Sequence, residues 1–119
     1  MRSFTKVEKS ISSNFRARLS LAEDVPDVAG LFCSTMATVF GEAIPEADVR
    51  TDHISFYPAK PPHYAIEKDL RNKEEFKETW KNSDLKAITG RFAEACKKRC
   101  RHLGRHPEKT NAKIRNLSI

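Results

Sequence analysis

Three groups of side chains in this chain have the types and spacing to do chemistry. The first is Cys96, Cys100, His102 and His106. Thiolates and imidazoles are the ligands a tetrahedral zinc takes, and two of them four residues apart on a helix can share one ion. At about 100° of rotation per residue, however, both cysteines fall on an apolar stripe with Phe92 and Leu103, whereas His102 is turned roughly 100° away. A metal site would need the helix to end near Cys100 so that both histidines fold back. Buried thiols acting as small apolar residues are the expectation for Cys96 and Cys100, with no metal and no cofactor. The second group, Asp52 beside His53 with His63 nearby, has the makings of an acid and base pair if folded together. The third, Pro26-Asp27 followed by Glu75-Phe76-Lys77, has the carboxylate and lysine order of metal-dependent nucleases. Those enzymes hold their acids on strands, and here both pieces read as helix. Catalysis is not expected.

A fourth pattern is electrostatic. Residues 1–85 carry 12 Lys/Arg against 14 Asp/Glu, and the rest from Lys86 onward carry 10 against 2, so the two parts hold −2 and +8 of the formal +6. On a helix through this basic part, Lys86, Lys97, Lys98 and Arg101 lie opposite the apolar stripe, continued by Arg105, Lys109, Lys113 and Arg115. Such a helix packs one face and offers the other to phosphates, each contact releasing condensed counterions. No helix-turn-helix, zinc-finger or RNA-recognition signature accompanies it, so phosphate contacts rather than base readout are expected of Lys97, Lys98, Arg101, Arg105 and Lys109. The aromatic residues are assigned to the core, which leaves none to stack on bases.

The elements that must position these residues follow from hydrophobic period. Phe15, Ala17, Leu19 and Leu21 alternate with polar residues and predict a half-buried strand. Asp24 as cap, Pro26 in the first turn, and Val28, Leu31, Phe32, Met36, Val39 and Phe40 on one face predict a helix near 26–41, stopped at Gly41. Ile54 to Tyr57, ended by Pro58, predicts a second short strand. Tyr64 to Trp80 reads as another helix, with the gap between Leu70 and Phe76 demanding a bend near Asn72. Asn82 or Ser83 can cap a last helix near 84–103, where Leu85, Ile88, Phe92, Cys96, Cys100 and Leu103 form the stripe, Gly90 sits inside and Gly104 marks the end. The fold class is mainly α: about three amphipathic helices packed in one small domain around Phe32, Phe40, Trp80 and Phe92, with one or two short strands, and α+β as the alternative. Residues 1–14 read as a flexible basic N-terminus, 15–104 as the domain and 105–119 as a basic tail.

Composition sets the bounds. A chain of 119 residues is long enough for one core. Apolar residues at 39% and charged residues at 32% fit a folded chain. Three cysteines are too few for a disulfide scaffold and point to a reducing compartment. No run approaches the roughly 20 apolar residues of a membrane span, and the start lacks a secretory apolar block, so an intracellular, cytoplasmic protein is expected. Its basic, serine-rich first 20 residues have the composition of an organelle import segment as well. Acids dominate from Leu19 to Phe56, seven against Arg50 alone. The leading expectation is therefore a non-enzymatic protein binding nucleic acid or a ribonucleoprotein through its basic end. The alternative is an adaptor or subunit that docks on a protein partner through the acidic segment or an exposed part of the 64–80 stripe, and the third is a metal-binding or catalytic domain. Salt separates the first two, because phosphate binding weakens steeply with ionic strength and an apolar interface does not.

Overall fold

The computed structural model describes residues 2–104 of the chain. Among them the order is α1 (Thr5–Leu21), α2 (Val25–Ala43), two single 3₁₀ turns at Pro45–Ala47 and Thr51–His53, β1 (Ile54–Phe56), β2 (Tyr64–Ile66), α3 (Lys68–Arg71), α4 (Glu74–Lys81) and α5 (Leu85–Gly104). The fold is mainly helical with one short antiparallel hairpin, in which Ile54 pairs with Ile66 and Phe56 with Tyr64.

The strand expected at Phe15–Leu21 is instead the second half of α1, which also takes in most of the N-terminal segment expected to stand apart. A four-residue step explains the outcome. Val7, Ile11, Phe15 and Leu19 recur at helical spacing; Phe15 and Leu19 are buried, and Val7 and Ile11 pack partly on the core. The other half of the apparent alternation, Ala17 and Leu21, is exposed, Leu21 at 76%.

Helix α2 is the centre of the molecule. The Asp24 carboxylate accepts the Asp27 N–H at 2.9 Å and opens the helix. Val28, Phe32, Met36, Val39 and Phe40 are wholly buried. The helix runs through Gly41 to Ala43 rather than stopping, because Ala43 and Ile44 are buried as well and the Ile44 N–H reaches the Phe40 carbonyl at 2.7 Å. Burying that face contributes on the order of 10 kcal/mol before chain entropy is set against it.

The segment expected as one helix over 64–80 divides into β2, α3 and α4. Tyr64 to Ile66 pair with β1, so these residues leave the helical stripe. The remainder breaks at Asn72 and Lys73, where the gap in the stripe calls for a bend. Leu70 and Phe76, on either side of the break, then both face the core. Helix α5 forms as its period predicts, burying Leu85, Ile88, Phe92, Ala93, Cys96 and Leu103. Its start is tied to the start of α1. The Asp84 carboxylate accepts the Phe4 backbone N–H at 2.8 Å and the Ser3 and Thr5 hydroxyls at 3.0 and 3.3 Å.

Candidate nucleic-acid interface

Helix α5 presents six Lys/Arg side chains, and its rotation divides them. On the side that packs against α1, the Arg91 guanidinium makes a two-pronged bond to the Glu8 carboxylate, at 2.7 and 2.8 Å. That contact holds the Glu8 carboxyl below its ordinary value, against burial acting the other way. Two turns on, Arg99 donates to the carbonyls of Ser20 and Ala22, at 3.0 and 2.7 Å, and so closes the C-terminal end of α1. Between them the Phe15 and Phe92 rings meet edge to face at 4.7 Å.

The outer face differs. Lys98 and Arg101 are exposed, one turn apart, and neither is ion-paired among the described residues. Lys97 is partly buried and sits 3.6 Å from the Glu94 carboxylate, an i,i+3 pair of little energetic weight. Lys86 is exposed near the opposite end of the helix, in line with Lys97. Arg105 and Lys109, the other two residues assigned to phosphate contacts, and His106 lie outside the described residues.

The remaining sequence candidates are engaged in structure. Among the described residues no group of three or more Cys, His, Asp or Glu side chains is arranged to hold a metal ion. Burial, with the neighbouring Cys100 and Cys33, pushes the Cys96 thiol up to about 12, and burial pushes Cys100 up to about 11. Neither is a ready thiolate. His102 is exposed on α5. His53 and His63 are both buried, in different loops. The His53 Nδ1 accepts the Arg50 backbone N–H at 3.0 Å, and the His63 Nδ1 meets the Tyr57 carbonyl at 3.1 Å, so each imidazole organises its own turn. His63 does so with φ at 78°, a conformation that L residues rarely adopt. Asp52 faces outward, 3.4 Å from Arg50. Asp27 and the Glu75, Lys77 pair stand on α2 and α4, on helices as expected.

Sequence reasoning offered an exposed part of the 64–80 stripe as a protein-docking surface but did not foresee the groove that forms there. Tyr64 and Trp80, assigned to the core, are only partly buried and line an open groove of about 480 Å³ with Ile66, Asn72 and Phe76. Arg71, Lys77 and Lys86 complete its lining, which contains no Asp or Glu. Trp80 stacks on Phe76 at 5.3 Å and 19° and meets Tyr64 edge-on at 6.4 Å. The available signal was the divided stripe of the 64–80 segment, which cannot turn all its aromatics to one core.

Comparison of the chain with protein-family models, with curated proteins and with solved structures finds no match. Among the described residues no helix is long and apolar enough to cross a membrane.

Proposed function

We propose that this chain is a non-enzymatic binding protein that engages nucleic acid or a ribonucleoprotein through the outer face of α5 and the basic segment following it in sequence. The observation that carries the reading is the pairing of Lys98 with Arg101, exposed and without an ion-pair partner among the described residues, on a helix whose other sides are fixed against α1 and α2. A cation held on a rigid helix and not neutralised by its own protein is suited to a phosphate oxygen, and two of them one turn apart can meet neighbouring phosphates. Lys97 contributes less than Lys98, because Glu94 is beside it. Arg105 and Lys109 continue the same basic run in sequence. Contacts of this kind position a strand without reading its bases. A reducing, intracellular and cytoplasmic setting accords with three cysteines present as free thiols.

The test is the salt dependence of binding to labelled nucleic acid. The logarithm of affinity should fall linearly with the logarithm of salt concentration, by roughly 0.7 to 0.9 per phosphate contact. Charge reversal at Lys98 and Arg101 together should lower that slope by the equivalent of two contacts. Failure to bind at low salt, or an unchanged slope in the double variant, sinks the reading.

A second reading, an adaptor docking on a protein partner, has its own observation. Leu21, 76% exposed, borders an open groove of about 450 Å³ between α1 and α2, lined also by Pro26, Gly30, Leu31, Arg18 and Asp27. An exposed leucine beside a groove of mixed lining suits a protein interface, and its apolar part would hold at salt concentrations that release nucleic acid.

A further inference from the structure

We infer that the groove between β2, α4 and the start of α5 takes one unpaired base of a single-stranded nucleic acid, stacked on Trp80 with Tyr64 against its edge, with the flanking phosphates on Arg71, Lys77 and Lys86. The inference rests on the nucleic-acid reading above and narrows it from nucleic acid in general to single strands. Its first support is shape and chemistry together: an open cavity of about 480 Å³, large enough for one nucleotide unit, with two partly exposed aromatic rings in its wall. Every nucleobase has a π-face, so aromatic platforms in a basic groove hold single strands without sequence preference.

The second support is charge placement. Three cations and no carboxylate line the groove, and none of the three is ion-paired among the described residues. On α4 the helical rotation sets Lys77 about 60° from Trp80, while Glu74, Glu75 and Glu78 are turned more than about 100° from it. The helix thus turns its basic side to the groove and its acids away, a distribution that an anionic ligand exploits. The Asn72 amide and the Trp80 indole N–H make no hydrogen bond to the described residues, which leaves both able to meet base edges or phosphate oxygens.

Continuity is the third. At helical rotation Lys86 and Lys97 lie within about 20° of one line along α5, with Arg101 about 60° and Lys98 about 120° from Lys86, so the groove opens at one end of the face that carries Lys97 and Arg101, with Lys98 farther round the helix. From Lys86 to Arg101 that face is about 22 Å long at 1.5 Å per residue. A single strand can leave the aromatic groove and follow its phosphates along this face. A duplex cannot, since its bases are stacked and paired inside.

Trp80 is the chain's single tryptophan, so its emission reports on the groove alone. The full chain would be titrated at low salt with a fluorescein-labelled oligouridylate of about ten nucleotides, reading label anisotropy for binding and, with unlabelled strand, Trp80 emission for stacking. The expected result is quenching that saturates with binding, and Arg71→Glu with Lys86→Glu should remove the quenching and weaken binding about tenfold or more. Both sites are exposed, so folding is retained. Trp80→Leu, checked by circular dichroism, should weaken anisotropy-detected binding about fivefold to a hundredfold. Binding with unchanged Trp80 emission would overturn the groove while leaving the α5 face standing. Quenching with affinity and salt slope indifferent to Lys98→Glu and Arg101→Glu would do the reverse. Equal quenching by a duplex, or quenching by an acidic peptide with a terminal aromatic residue but not by the strand, would also overturn the single-strand assignment.

Discussion

The two sides of α5 use the same residue types for opposite ends. Towards α1, Arg91 and Arg99 are spent on the Glu8 carboxylate and on the carbonyls of Ser20 and Ala22. Away from it, Lys98 and Arg101 have no ion-pair partner among the described residues, although Lys98 is the immediate neighbour of Arg99. One residue of helical rotation, about 100°, separates a cation that holds two helices together from one that is free for a ligand. Of the six described cations on α5, Arg91, Lys97 and Arg99 are engaged, and Lys86, Lys98 and Arg101 are open. Net charge therefore overstates what the helix can offer a phosphate backbone, because the count does not register phase.

The sharpest way to break the inner side is to remove the ring on which it rests. Phe92 is 4% exposed and packs edge to face on Phe15. Phe92→Ala should cost about 3–5 kcal/mol, read as a lower midpoint in denaturant titration, a large share of the stability of a small domain. A loss below about 1 kcal/mol would mean that α1 is not anchored there. The arginines allow a crossed comparison. Arg99→Ala leaves two carbonyls without their donor and should cost about 1–3 kcal/mol in the same titration, with the salt slope of nucleic-acid binding unchanged. Arg101→Glu should do the reverse, moving stability by no more than about 0.5 kcal/mol and flattening the salt slope. Equal effects of the two on both readouts would erase the distinction between the sides.

Acid should loosen the inner side selectively. The Arg91 guanidinium holds the Glu8 carboxyl low. Burial pushes the Asp84 carboxyl up, but hydrogen bonds from the Phe4 N–H, the Ser3 and Thr5 hydroxyls and its own backbone N–H outweigh it and leave the group below its ordinary value. A carboxyl lowered in the folded state adds stability that is fully present above its unfolded value and is lost as pH falls through the folded one. Thermal melts between pH 7 and pH 3 should therefore show a decline at the acid end that is shallower in a Glu8→Gln, Asp84→Asn double variant. Coincident curves for variant and wild type would show that these carboxyls do not couple α1 to α5.

The same contrast explains what could be read in advance. Helices α2 and α5 were legible because each buries one continuous stripe, and their capping signals, such as Asp24, lie within three residues of the groups they satisfy. Helix α1 was misread because a seven-residue window from Phe15 to Leu21 fits both periods, and only the longer register from Val7 through Leu19 separates them. Pairing of Tyr64 and Ile66 with β1 is a non-local contact, which helical propensity in the 64–80 segment does not encode. For the site, the sequence was sufficient to place Lys98 and Arg101 on an outer face. It could not show that Arg91 and Arg99 find partners 83 and 79 residues away, nor that Lys86 and Trp80 line one groove.

The smallest expected effect concerns the middle of the outer face. Gly90 lies inside α5, exposed, and a Cβ added there would meet nothing within 4 Å. Its backbone is helical with negative φ, so alanine fits without strain. Gly90→Ala removes unfolded-chain freedom and should stabilise the protein by about 0.4–1 kcal/mol, a rise of a few degrees in melting temperature. Because Gly90 sits on the line from Lys86 to Arg101, the same substitution also probes the surface between groove and basic face. A strand that only passes over this turn tolerates a methyl group, and oligouridylate affinity should then stay within about twofold. A stabilised variant that binds tenfold more weakly would mean the backbone at Gly90 is approached closely, making the glycine part of the binding surface rather than a tolerated defect in the helix.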